Sequence, residues 1–275
     1  MLPTNEQEAE PRYTVPALER GLRLLMEFSR HERTLTPPEL ARRLDVPRST
    51  VFRMLSTLEE LGFVERTDGG RAFRLGISVL RLGFEYLSSL DLTELGTPVL
   101  GRLRDRVSCA CNLVVRDRRS IVYVAKVAPA SWIASSVTVG TRLPAHATVF
   151  GRVLLRDMSL DQLRALYPEE HLEQHTEQTP ATTLALFDLL QSDREQTCVV
   201  GQGFFESSIS TVAAEVRNET GAIVAALGAT VPYATIDPAL RESLITNIGE
   251  AADELSAALG YSARKQAGGQ VVRIA

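Results

Sequence analysis

Cysteine is scarce in this chain: Cys109, Cys111 and Cys198 form neither an even set nor a Cys-x-x-Cys pair, which leaves no basis for a disulfide framework or a structural zinc site. The three read as small buried hydrophobes. Long apolar runs are also missing. The longest, such as Ala222 to Thr230, fall far short of the roughly 20 residues a membrane-spanning helix needs. The leader Met1 to Pro11 is acidic, with no basic segment feeding an apolar one. The expectation is therefore a cytoplasmic protein with no membrane partner. Positive charge is not in excess either: the net charge is -4, which argues against a generally basic nucleic-acid coat.

The charge that is present is unevenly placed. Residues 12–88 carry 13 arginines, no lysine and 10 carboxylates, so the positive charge sits near the front of a chain whose remainder is acidic. The 275 residues, 44% of them hydrophobic, suffice for two domains with real cores.

Pro16 to Arg30 places Leu18, Leu22, Leu25 and Met26 at helical spacing. Thr36-Pro37-Pro38-Glu39 follows, in which Thr36 can cap a helix running to Leu44, a proline suits the first turn and Glu39 can bond back to the cap backbone. Asp45-Val46-Pro47 forces a turn, and a second helix from about Pro47 to Leu61 stops at Gly62. Phe63 to Arg66 and Ala72 to Leu75 then flank Asp68-Gly69-Gly70 as a β-hairpin. Helix, turn, helix and hairpin make a winged helix-turn-helix.

On a helical wheel, Val51, Met54, Leu55, Leu58 and Leu61 cluster toward a core. Ser49, Arg53 and Ser56 lie opposite, with Phe52 and Thr57 at the margins. An isolated amphipathic helix with a solvated polar face would look much the same. The composite points instead to double-stranded DNA, with Arg53 reading bases and Ser49 and Phe52 assisting. Arg48, Thr50 and Thr57 are expected to hold phosphates, and Arg71 at the hairpin tip to reach backbone or minor groove.

Gly76 to Leu90 is helical by the spacing of Ile77, Leu80, Phe84 and Leu87 and reads as a linker. Beyond it come a helix at Leu92 to Val107 and about six strands: Cys109 to Val115, Ile121 to Val127, Val137 to Val139, Thr197 to Val200, Ile209 to Val216 and Ile223 to Thr230. Helices at Thr148 to Arg156, Leu160 to Leu166, Thr183 to Gln191 and Pro238 to Leu259 interleave with them. The pattern is α+β around one antiparallel sheet.

Other candidate chemistry is thin. His171 and His175 are four apart, but "PEEHLEQHTEQTP" lacks a His-Glu-x-x-His pattern and reads as a solvated surface helix rather than a metal site. Cys109 and Cys111 share a strand face without a nearby histidine pair, and "GQGFF" at Gly201 to Phe205 lacks the rest of a phosphate loop. Trp132 reads as a packing residue in a loop. With no Ser-His-acid constellation either, no catalytic residue, metal ligand or cofactor is assigned. A signalling enzyme with a DNA-binding adaptor is the competing class, and a DNA-packaging protein would require a more basic chain.

The stretches "ALERGLRLLMEF", "ELARRLDVPRSTVFRMLSTLEELGFVE", "FRLGISVLRLG", "VGTRLPAHATVFGRVLL" and "STVAAEVRNETGAIVAALGAT" resemble the IclR family of bacterial transcriptional regulators over almost the whole chain. "YLSSLDLTELGTPVLGRL" and "VGTRLPAHAT" resemble most the branch that regulates aromatic-acid breakdown through the β-ketoadipate pathway. The resemblance implies an acidic tail (1–11), a winged helix-turn-helix (12–75), a linker helix (76–90) and a GAF-like or profilin-like effector-binding domain (91–275). It also implies a homodimer or homotetramer. Pairing follows from economy too, since one recognition helix reads only a few base pairs and a near-palindromic operator supplies the rest.

Carried over from the family, the effector site falls on Val149 and Phe150 of a helix, Gly201 of a loop, Thr211 on one strand, and Gly228 and Thr230 on the next. Members that bind small keto acids commonly carry an acid where Gly201 stands and a serine where Gly228 stands. Their loss is expected to enlarge the cavity and favour a bulkier, aromatic acid, with a non-aromatic keto acid as the alternative. Arg142 and the backbone N–H groups from His146 to Thr148 are candidate anion holders, and the hydroxyls of Ser210, Thr211 and Thr230 could orient a carboxylate or ring oxygen.

Overall fold

The computed structural model describes residues 15–29, 32–82, 91–129 and 137–262. The expectations for the acidic tail, for Phe84 and Leu87 of the linker and for Trp132 lie outside those residues. The chain divides into two compact units, Met1–Tyr86 and Leu87–Ala275.

In the first unit, α1 (Pro16–Met26), α2 (Pro37–Leu44) and α3 (Arg48–Glu60) precede β1 (Val64–Thr67) and β2 (Ala72–Leu75). The Glu39 carboxylate accepts the backbone N–H of Thr36 at 2.8 Å, the bond expected of a capping box. Asp45 then takes a left-handed φ of 51°, ending α2 and starting the turn into α3. The hairpin pairs Val64 with Leu75 through Thr67 with Ala72, and the two glycines at its tip have φ of 66° and 91°. A reciprocal backbone pair between Leu35 and Phe73 adds a bridge to the hairpin that the sequence pattern does not reveal.

The core of this unit gathers Leu24, Phe28, Leu35, Leu40, Val51 and Leu55. The structure adds one point about α1 and corrects one expectation for α3. Leu18, Leu22 and Met26 have helical spacing but are exposed, because it is Leu24 that turns toward α2 and α3. Leu61, expected inside, is 58% exposed, since α3 ends one residue earlier and leaves it at the rim.

The second unit is α+β, as expected. It comprises α4 (Asp91–Val107), β3 (Ala110–Asp117), β4 (Ser120–Val127), β5 (Arg142–Pro144), α5 (Val149–Leu155), α6 (Leu160–Leu166), α7 (Thr183–Asp193), β6 (Val199–Gln202), β7 (Ser210–Arg217), β8 (Ile223–Val231) and α8 (Pro238–Ala258). The six strands form one sheet in the order β5-β4-β3-β8-β7-β6, antiparallel throughout. The strand expected at Val137 to Val139 does not form; Arg142–Pro144 pairs with β4 instead.

Strand alternation sorts the apolar residues onto two faces. Cys111, Leu113, Leu227 and Ala229 face a core shared with α4 and α8. Val114, Ala213 and Ala226 face one shared with α5, α6 and α7. Each fully buried leucine contributes about 1.5–3 kcal/mol relative to exposure, so the sheet is stabilised from both sides. The cysteines are buried and free, as expected.

Candidate functional site

The exposed face of α3 carries Arg48, Ser49, Phe52, Arg53 and Thr57, while Val51 and Leu55 are buried beneath. Thr50 is half-buried and Arg71 is exposed at the hairpin tip. Phe52 is 55% exposed, which puts its phenyl ring on the same open face as Arg53. The first turn of α3 contains no carboxylate.

The ion pairs divide the arginines of this segment into two groups. Arg66 binds Glu59 at 2.8 Å and lies over the Phe73 ring, and Arg74 binds Glu65 at 2.6 Å. These two hold the hairpin to α3 and to itself. Arg48, Arg53 and Arg71 make no ion pair among the described residues. The Thr57 hydroxyl donates to the Arg53 carbonyl at 3.1 Å, so its proton is already committed within the helix. That hydroxyl can rotate, and Thr57 stays on the exposed face of α3.

In the second unit, one row of ladder partners crosses four strands: Gly201 pairs with Thr211, Thr211 with Thr230 and Thr230 with Ala110. All four residues line a cavity of about 240 Å³. Thr148, Val149 and Phe150 border it from the start of α5, and Tyr123, Phe204 and Phe205 add three more rings. Tyr123 meets Phe150 edge to face at 5.8 Å. Burial, with Glu206 nearby, raises the Tyr123 hydroxyl above its ordinary value, so it stays a proton donor. Thr148 caps α5 by accepting the Gly151 N–H at 3.1 Å, and its own N–H, one of the groups considered for an anion, faces the Ala145 carbonyl at 3.5 Å.

Three expected lining residues lie elsewhere. Ser210 precedes Thr211 in β7 and so points to the opposite face, where its hydroxyl donates to the carbonyls of Tyr233 and Ala234. Arg142 turns its guanidinium to Asp117 at 2.7 Å and borders a separate depression with Arg119, His146, His171 and His175. Gly228 does not enlarge the cavity: a Cβ there would strike the Val212 carbonyl and Ala213, so glycine answers the close approach of β7. Gly201 is bounded in the same way, because Val149 occupies the space its Cβ would take.

His171 and His175 sit on an irregular stretch, not a helix. The His175 ring lies 4.7 Å from that of Phe205, and Thr176 and Thr179 both donate to the Phe204 carbonyl. This loop therefore holds the Phe204-Phe205 wall. Among the described residues no group of three or more His, Cys, Asp or Glu is placed to hold a metal ion, and no helix is long and apolar enough to cross a membrane.

Asn112, Tyr123, Phe204 and Phe205 were missed from sequence. Asn112 had a signal, as the polar member of "CACNLVV"; the two phenylalanines sit in the "GQGFF" motif that was set aside as an incomplete phosphate loop.

A helix-turn-helix with an attached hairpin, joined to a sheet domain with a cavity, is the architecture of a DNA-binding transcriptional regulator. The chain belongs to the IclR family: residues 17–68 match the IclR helix-turn-helix domain and residues 84–257 match the bacterial transcriptional regulator IclR C-terminal domain. It is 35% identical to the Pca regulon regulatory protein of Pseudomonas putida over 77% of this chain and 72% of that one. A transcriptional regulator from Rhodococcus sp. RHA1 superposes with a TM-score of 0.78 at 33% identity, covering 90% of this chain and 98% of that one. An IclR homologue of Microbacterium hydrocarbonoxydans, solved in complex with 4-hydroxybenzoate, shares the fold with a TM-score of 0.78 at 24% identity, over 90% of this chain and all of that one.

Proposed function

We propose that this regulator is a one-component sensor of a small aromatic acid that controls genes for aromatic-compound breakdown. The observation that carries the reading is the cavity: about 240 Å³ walled by the rings of Tyr123, Phe150, Phe204 and Phe205, with Thr148, Thr211 and Thr230 on its polar side. Ligand cavities usually run from roughly 300 Å³ upward, so one near that lower bound suits a single ring rather than a bulky ligand. Aromatic walls favour a planar ring over a short keto acid, by edge and face contacts. Similarity to the Pca regulon regulatory protein supports the same branch.

The DNA contacts fall to Arg48, Ser49, Thr50, Phe52, Arg53, Thr57 and Arg71, with residues 76–90 connecting the reading unit to the sensing unit. The exposed apolar strip of α1, Leu18 and Leu22, forms a groove with Leu58 and Leu61 of the same unit, and a homo-oligomer on a near-palindromic site would let a second copy cover that strip. Effector binding alters DNA affinity by favouring one of two arrangements of the chain. Calorimetric titration of the full-length protein with benzoates and with pyruvate tests the reading: aromatic acids bind and shift operator affinity in a mobility-shift assay. Binding of pyruvate alone would refute it.

A further inference from the structure

Asn112 is the least satisfied polar side chain in the cavity wall. It sits on β3, a central strand, opposite Gly228 on one side and Lys126 on the other. Only 3% of it is exposed. Its Nδ2 reaches the Ala110 carbonyl and the Thr230 hydroxyl, both at 3.4 Å, which is beyond ordinary hydrogen-bond length. Its Oδ1 is shut away from solvent and has no partner.

Exchanging the amide's oxygen and nitrogen would set oxygen against the Ala110 carbonyl, with only the Thr230 hydroxyl, 3.4 Å away, to donate to it. The orphan is therefore an acceptor. A buried acceptor without a donor costs about as much as a lost hydrogen bond, and a leucine at this position would avoid that cost. Asn112 lines the cavity with Thr211 and Thr230, and the terminal torsion of an asparagine is broad and shallow, so its amide can turn Oδ1 toward a donor that enters there. Those threonines and Tyr123 can donate to a ligand's oxygens. Asn112 supplies a neutral acceptor that a ring substituent can satisfy.

We infer that Asn112 is a specificity-determining residue, which selects an aromatic acid bearing a hydroxyl on the ring by accepting that hydroxyl's proton. The inference rests on the aromatic-acid reading above. A ligand with a methyl group in place of the hydroxyl fills the same volume but leaves Oδ1 orphaned, and a site built around a hydrogen bond rejects such analogues strongly.

The test is a cycle of calorimetric titrations on the full-length chain, pairing 2-, 3- and 4-hydroxybenzoate with the corresponding methylbenzoates, for wild type and for Asn112→Leu. Wild type should prefer one hydroxybenzoate over its methyl counterpart by about tenfold or more. Asn112→Leu should bring that ratio to about one or invert it, while keeping a melting temperature at least equal to wild type. The wild-type ligand pairs stand without the variant, should it fail to fold. Equal affinity within all three pairs in wild type overturns the role of Asn112 but leaves the aromatic-acid reading intact. A preference that survives in a folded Asn112→Leu overturns the role as well. Failure of every ring acid to bind overturns both.

Discussion

Arg152 and Asp193 form a two-pronged ion pair, Nε to Oδ2 at 2.9 Å and Nη2 to Oδ1 at 2.6 Å, with both side chains less than a tenth exposed. The pair ties α5 to the end of α7. The same guanidinium lies 4.9 Å from the centre of the Phe204 ring, so it also fixes a wall of the cavity. A buried pair is costly to form but costlier to break, since removing one member strands the other. Arg152→Met should lower unfolding free energy by roughly 3–5 kcal/mol and weaken ligand binding through Phe204. Arg152→Met combined with Asp193→Leu should lose less than the single change. Urea denaturation of the three variants checks the order, and a double variant worse than the single would contradict it.

Arg53→Ala should reduce operator affinity by about 1–3 kcal/mol and relax discrimination at one base position, with an unchanged melting temperature because the side chain bears on no core residue. Arg71→Ala should weaken binding evenly across sequences and reduce the salt slope by about one. Fluorescence anisotropy over a salt series, with operator and scrambled duplexes, separates the two. Thr57→Ala should weaken binding only slightly and evenly across sequences, since its hydroxyl must leave the Arg53 carbonyl to reach a phosphate.

Gly201→Ala places a methyl where Val149 already stands. The strand or helix must shift, at a cost of about 1–3 kcal/mol, and ligand affinity should fall. Adding Val149→Ala should restore much of both losses. Melting curves and titration of the two variants read this out, and a harmless Gly201→Ala would show that the contact yields easily.

Burial raises the Cys111 and Cys198 thiols to about 12. An unfolded thiol ionises near its ordinary value of 9.0, so the folded state favours the protonated form. This contribution to stability is complete below about pH 9 and is lost as pH rises toward 12. At pH 8 the native protein should resist a thiol-specific disulfide reagent at both residues, and denaturation should release three reactive thiols. Rapid labelling of the native protein would contradict the burial.

Much of this molecule was legible in advance because its signals are local. The capping pair Thr36 and Glu39, the left-handed turn at Asp45 and the glycine-tipped hairpin each depend on residues close together along the chain. The wheel of α3 separated Phe52 and Arg53 from Val51 and Leu55 because helical geometry fixes which side chains share a face. Where a face meets no other element the same reasoning misleads: Leu18, Leu22 and Leu61 have the periodicity of a core but remain uncovered in the single chain.

The amino-acid order by itself determined the elements, their sequence along the chain and the polar face of the reading helix, since these follow from backbone geometry and short-range bonding. Only the tertiary structure decided the register that aligns Gly201, Thr211, Thr230 and Ala110, the turning away of Ser210 and Arg142, and the arrival of Asn112 beside them. Those relationships join residues as far apart as Asn112 and Thr230, 118 positions along the chain. Side-chain direction in a strand reverses with every residue, so a cavity assembled from four strands depends on pairings that no local pattern encodes.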